Sequence, residues 1–311
     1  MRFIILFYFV VFQFCIGSLG ASGDWVFVGP ERPPEQLNAV EGNGEGAFVA
    51  VGDNGVVYWS PDGEQWVFLQ VNGLQGNVMD VAFINGEWLL ATASGEVGVS
   101  ENGRVWEIQT WENLFGSFSE IVRFNDRTYL VGKGLFASSS DHQNWGIEAF
   151  DIDPVLDAFV MDGKLTVISF YRGVDGIGTL EARSYDGHND WVLGGIQVPY
   201  NSVDDLSVAV GDGIVAVTVN GTRLYTSTDS VTWQELNNPT VRNANLEYAF
   251  ELDGRVVMYA REYEFIDGVY ELTDGGSYIS MGSDGAFRDE DYTIPVNTTV
   301  KRGGGCLFSG L

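Results

Sequence analysis

Five acids stand where chemistry could gather: Asp80 before Val-Ala-Phe, Glu120 before Ile-Val-Arg-Phe, Asp157 before Ala-Phe-Val, Asp205 before Leu-Ser-Val and Glu247 before Tyr-Ala-Phe. Each introduces a short apolar run of strand-forming residues. If those runs are equivalent strands of one ring, their first residues converge on one mouth. Like charges gathered this way raise one another's pKa or recruit a cation, and an oxygen-only site suits Ca2+. The expectation is no cofactor, with Ca2+ the one ion these residues suit. The competing reading has each acid accept backbone N–H bonds from its own loop. A glycosidase would need two carboxylates roughly 5–10 Å apart, which spacing along the chain cannot test among so many acids.

Other catalytic patterns are missing. The sequence holds no HExxH, GxSxG, phosphate-binding loop or Cys/His zinc spacing. Its two histidines, His142 and His188, fall in turn segments and read as solvated turn residues. The loops leading into the inner strands supply a second kind of candidate surface. They carry Leu74 and Met79, then Trp111, Leu114, Phe115 and Phe118, then Tyr200, with Tyr171 approaching from a neighbouring loop. Exposed apolar patches commonly mark binding sites, so Trp111 and Phe115 join the five acids as the expected binding face.

What must position these residues is a phrase written six times: Ser, any residue, Asp or Asn, usually Gly, two more residues, then Trp. It reads Ser60, Asp62, Gly63, Trp66; then Ser100, Asn102, Gly103, Trp106; then Ser139, Asp141, Trp145. Looser copies are Ser184, Asp186, Gly187 with Trp191; Ser227, Asp229 with Trp233; and Ser283, Asp284, Gly285 with Phe287. The tryptophans at 66, 106, 145, 191 and 233 lie 40, 39, 46 and 42 residues apart. A period of about 40–50 residues signals a propeller, solenoid or array. Within one period, Asp80–Ile84, Glu87–Thr92, Glu96–Ser100 and Trp106–Ile108 are separated by tight turns such as Asn85-Gly86. That is a four-stranded meander, and a ring of such sheets closes on itself as a β-propeller.

These phrases resemble the Asp-box, or BNR, repeats of sialidase-like propellers and of photosystem assembly factor-like propellers. The resemblance spans roughly residues 36–290. It implies an all-β propeller whose box residues are structural and peripheral, away from the substrate face. Sialidase-like enzymes also need an arginine cluster for the substrate carboxylate, an Asp acid/base, a Tyr activated by a Glu, and a Phe/Tyr-Arg-Ile-Pro stretch. Here Pro30-Glu31-Arg32-Pro33-Pro34 keeps only Arg-Pro, and Arg104, Arg123, Arg172, Arg223 and Arg261 are scattered. A carboxylate clamp depends on converging guanidinium forks, so the resemblance does not extend to sialidase activity.

Six boxes require at least six blades, and fragments remain at both ends. Trp25-Val26-Phe27-Val28 reads like Trp66-Val67-Phe68-Leu69, the last strand of a blade, and Thr299–Phe308 reads like the first two strands of another. Joined, they make a seventh blade that locks the ring, with its third strand unassigned. Six blades with ragged ends is the alternative.

Composition sets the compartment. Arg2, the apolar run Phe3–Ile16 and the small residues from Gly17 to Ser22 read as a secretory signal over 1–21, leaving 22–311 as one domain. Removal leaves Cys306 alone, so no intramolecular disulfide is expected. Acidic residues number 43 against 16 basic, a formal net charge of −27. Such a field repels nucleic acid and anionic lipid. Asn220-Gly221-Thr222 and Asn297-Thr298-Thr299 match the N-glycosylation pattern. Together these features predict a secreted or periplasmic monomer, not inserted in a membrane, that acts as a binding or assembly-scaffold module for a protein or glycan partner. The alternative is a glycan-acting hydrolase or lyase using carboxylates at the channel mouth.

Overall fold

The computed structural model describes residues 4–5, 26–27, 36–110, 117–149, 155–172, 177–188, 191–198, 206–211, 213–219, 223–236, 244–252, 255–266, 269–281, 287–290, 299–303 and 306–310. Two short strands, β1 (Ile4–Ile5) and β2 (Val26–Phe27), pair in parallel. Six four-stranded antiparallel meanders follow. Blade 1 is β3 (Leu37–Gly42), β4 (Phe48–Gly52), β5 (Val57–Ser60) and β6 (Val67–Leu69). Blade 2 is β7 (Val78–Ile84), β8 (Glu87–Thr92), β9 (Val97–Ser100) and β10 (Glu107–Gln109). Blade 3 is β11 (Ser117–Phe124), β12 (Arg127–Lys133), β13 (Leu135–Ser139) and β14 (Gly146–Ala149). Blade 4 is β15 (Val155–Met161), β16 (Lys164–Arg172), β17 (Gly178–Tyr185) and β18 (Val192–Val198). Blade 5 is β19 (Leu206–Gly211), β20 (Ile214–Val219), β21 (Arg223–Ser227) and β22 (Gln234–Leu236). Blade 6 is β23 (Ala244–Leu252), β24 (Arg255–Ile266), β25 (Val269–Met281) and β26 (Phe287–Glu290). A hairpin of β27 (Thr299–Gly303) and β28 (Cys306–Gly310) ends the described chain.

Local chemistry explains the meander. The first two strands of blade 2 are joined by Asn85 and Gly86, both at positive φ (55° and 87°), the conformation a two-residue type I′ hairpin demands. Asp162 and Gly163 repeat it in blade 4, at 50° and 70°. Early in β3, β7, β11, β15 and β23 the register slips by one residue, at Leu37/Ala39, Val78/Asp80, Phe118/Glu120, Val155/Asp157 and Leu246/Tyr248. A bulge recurring at one point re-aims the residue after it, so it belongs to the repeat.

The first strands form the ring's inner wall. β3 packs on β7, β7 on β11, β11 on β15, β15 on β19 and β19 on β23, while β27 and β28 touch both β23 and β3. The core is divided to match, one apolar cluster between each successive pair of blades. Val49, Val51 and Val57 of blade 1 meet Val81, Trp88 and Leu90 of blade 2. Leu89, Ala91 and Val97 meet Phe118, Ile121 and Leu130 of blade 3. Phe124 and Val131 meet Leu165 and Val167, Ile168 and Leu180 meet Val215 and Val217, and Ala216 and Leu224 meet Val256 and Met258. Each buried Leu, Val or Ile contributes roughly 1.5–3 kcal/mol. No helix among the described residues is long and apolar enough to cross a membrane.

Candidate functional site

The meander alternates direction, so each blade sends two connections to each face of the ring. The starts of the inner strands and the second-to-third strand turns share one face, the mouth. The first-to-second hairpins and the boxes share the other.

On the box face, the phrase is a hydrogen-bonded turn. In the first copy the Ser60 hydroxyl donates to Asp62 Oδ1 (3.2 Å) and accepts from the N–H of Gly63 (2.8 Å). Asp62 Oδ1 accepts from the N–H groups of Glu64 and Gln65, each at 2.8 Å, and the Trp66 indole N–H donates to the Gly63 carbonyl at 2.9 Å. The second box repeats this with Asn102, the third with Asp141 and the fifth with Asp229. In the fourth, Asp186 accepts from the His188 N–H. Donated N–H bonds stabilise the carboxylate. Asp62, held first by the Gln65 N–H, Asp141, held first by the Asn144 amide, and Asp229, held first by the Thr232 N–H, all lie below the usual range. Asp284 and Gly285 lie outside the described residues.

The fourth box position turns inward onto the preceding blade. A Cβ on Gly103 would stand 2.9 Å from Val49 Cγ2 and 3.0 Å from Trp59 Cδ1, and the backbone there has φ +70°. In the third box His142 fills this place. It does not sit in solvent as its turn position suggested: it is 2 % exposed, with Nδ1 2.7 Å from Glu87 Oε2 of blade 2 and Nε2 2.8 Å from Thr128 Oγ1. Sequence reasoning missed it because the turn's solvent side and its blade side differ by one residue.

On the mouth face, Asp80 is buried and both its oxygens are engaged. Oδ1 accepts from its own Val81 N–H and Oδ2 from the Ile121 N–H of blade 3, both at 2.8 Å. Burial pushes the carboxyl up to about 7 against those two bonds, and the charge of Asp157 adds to the rise. Counting back from the first hairpin, Glu120, Asp157, Ser207 and Tyr248 occupy the place of Asp80. Ser207 does the same work as Asp80: its hydroxyl accepts the N–H of Ala249 in blade 6. Glu120 is buried and Asp157 half-buried. Glu247 stands one residue before Tyr248, at the bulge, so its register differs from that of Asp80. Asp205, Trp111, Leu114, Phe115 and Tyr200 lie outside the described residues. Phe118 is fully buried in the interface between blades 2 and 3 and offers no surface.

Three contributors escaped the sequence reading. Glu41 on β3 is half-buried, its carboxyl pushed up to about 8, first by burial and then by the charge of Asp80, against a Gly42 N–H bond. An acid inside a short β run was its only signal. Asn38 donates from Nδ2 to the Val78 carbonyl of blade 2 at 2.9 Å and to Asp53 Oδ1 at 3.0 Å. Glu96 holds the loop before β7, its Oε2 accepting from the Gly76 N–H (3.1 Å) and the Ser94 hydroxyl (3.1 Å). Among the described residues, no group of three or more His, Cys, Asp or Glu is arranged to hold a metal ion.

No family model and no curated protein matches the chain. Solved structures do. Selenomethionine-substituted virginiamycin B lyase from Staphylococcus aureus aligns at a TM-score of 0.61 and 10 % identity, covering 88 % of this chain and 94 % of the other. YCF48 bound to D1 peptide aligns at 0.53 and 16 %, covering 91 % and 80 %. A chain of the mitotic checkpoint complex aligns at 0.56 and 11 %, covering 97 % and 98 %. Identities this low speak for the fold alone, and that fold is the β-propeller.

Proposed function

We propose that this chain is a non-catalytic binding module, a scaffold for a protein or glycan partner, and that its contact surface is the mouth face. The observation that carries this reading is the engagement of Asp80. Two backbone N–H groups, one from the next blade, occupy the carboxylate of the first of the five acids expected at the mouth. Ser207, which has no carboxylate, fills the same place in blade 5, so the position serves the ring. The solved YCF48 propeller was captured with a peptide, which is consistent with such a role.

The same reading takes the chain as secreted, with 1–21 removed as a signal, and as a seven-bladed ring. The hairpin β27–β28 touches both β23 and β3, in the gap a seventh blade would fill. In this view, loss of Ile4–Ile5 with the signal frees Val26–Phe27 to join that hairpin.

One observation favours the enzymatic alternative. Carboxyls held near neutrality, as Glu41 and Asp80 are, suit general acid catalysis, and virginiamycin B lyase shares the fold. Two assays separate the readings. Affinity capture from the source's own medium and envelope compares wild type with a Glu120→Gln, Asp157→Asn, Glu247→Gln variant. A partner held by wild type and lost by the variant supports the binding module. Turnover of fluorogenic glycosides that disappears in Glu41→Gln would overturn it in favour of a hydrolase.

A further inference from the structure

Among the described residues, the outer strands of the six four-stranded blades are open edges, and five of them are blunted. β6, β10 and β22 have three residues, and β14 and β26 have four. All but β6 carry charge, through Glu107, Glu148, Glu235 and Arg288-Asp289-Glu290. Short length and charge are the usual defences of an edge against unwanted pairing. β18 has neither. It runs for seven residues, Val192-Leu193-Gly194-Gly195-Ile196-Gln197-Val198, without one charged side chain, and among the described residues it is paired on one side only, to β17.

This edge is also built to be rigid. Its first residues follow Trp191, which stacks on Tyr185 at 5.2 Å and meets Phe136 edge-on at 5.4 Å. The fifth box closes on one face of its middle: a Cβ on Gly194 would lie 2.4 Å from Val231 Cα and 2.6 Å from the Val231 carbonyl. Glycine there serves close packing. The opposite face stays open, with Leu193 62 % exposed and Gly195 and Gln197 exposed along it, while on the box side Val192 is 50 % exposed. A long, uncharged, pre-formed edge with an apolar residue at its start is a template for strand addition, in which main-chain bonds give affinity and side-chain pockets give selectivity.

We propose that β18 accepts an extended, positively charged segment of a partner polypeptide as a fifth strand of blade 4. Charge selects this occupant. A second copy of the chain would bring −27 against −27, which long-range repulsion opposes, whereas a cationic segment is drawn in by the same field. The site lies at the rim, separate from the mouth face, so either can fail without the other.

The test uses the purified full chain and a fluorescein-labelled octapeptide of alternating valine and lysine. Controls are the same peptide N-methylated at alternate residues, which keeps charge and side chains but cannot complete a ladder, and a valine–glutamate version. The expected result is saturable binding, weakened at least tenfold by N-methylation and lost with glutamate. Amide exchange should slow at least tenfold within 192–198, with β6, β10 and β22 unchanged. Equal binding of the methylated peptide would reduce the effect to charge and overturn the proposal. So would protection elsewhere with 192–198 unchanged, or the absence of binding. Protection of 192–198 that grows with protein concentration and needs no peptide would make a second copy the occupant, and would equally overturn it.

Discussion

Two positions recur around the ring, and they are built differently. The box turn bonds to itself: Ser60 reaches Gly63, and Asp62 reaches Glu64 and Gln65, across two or three residues of chain. The inner-strand position bonds to the next blade: Asp80 reaches Ile121 across 41 residues, and Ser207 reaches Ala249 across 42. Self-contained geometry admits few side chains, so the box keeps Ser, then Asp or Asn, at the copies at 60, 100, 139 and 227. A bond between blades needs only an acceptor at the right place, so the inner position tolerates Asp in one blade and Ser in another. A repeat in sequence is therefore strict where its bonds are local and permissive where they are not.

Removing the inter-blade acceptor has the largest expected effect. Asp80→Ala leaves the N–H groups of Val81 and Ile121 buried without this partner, at about 1–3 kcal/mol each, so roughly 2–6 kcal/mol should be lost in urea unfolding. Asp80→Ser, copying blade 5, should lose clearly less. An equal loss in the two variants would break the equivalence of Asp80 and Ser207.

His142→Ala comes next. It removes a side chain bonded to Thr128 and Glu87 and leaves a cavity between blades 2 and 3, with an expected loss of about 2–4 kcal/mol. A melting temperature unchanged from wild type would return His142 to the solvated role its sequence position suggested. Ser60→Ala, a local break, should cost only about 1–2 kcal/mol. A loss as large as that of Asp80→Ala would erase the distinction between local and inter-blade bonding.

A last test concerns pH. Glu41 holds its proton up to about pH 8 in the folded chain but releases it near its ordinary 4.5 when unfolded. Between those values the folded state binds more protons, so this group's contribution is fully present below about pH 4.5 and is lost as pH rises through 8. Glu41→Gln should match wild type in urea midpoint at pH 4 and exceed it at pH 8.5. A difference independent of pH would show that burial does not control this carboxyl.

Much of this was legible in the residues. The box at 60–66 predicted its turn, and the Asn85-Gly86 pair predicted its hairpin, because both depend on backbone angles that a few side chains dictate. The four-stranded blade followed from the spacing of those turns. The candidate site was half legible. The acids at 80, 120 and 157 do share a register, but Glu247 sits one residue away, at a bulge no pattern announced, and Ser207 stood unnoticed in the place assigned to Asp205.

Sequence alone determined the repeat, its turns and the four-stranded all-β meander, since each rests on interactions within a single repeat. Tertiary structure alone decided that Asp80 fastens blade 2 to blade 3, that His142 is buried against Glu87, that Glu41 and Asp80 share a field, and that β18 is left as a long open edge. All four depend on residues brought from another blade or another strand. Burial and inter-blade bonding are properties of the assembled ring, and no stretch of chain carries them before the blades meet.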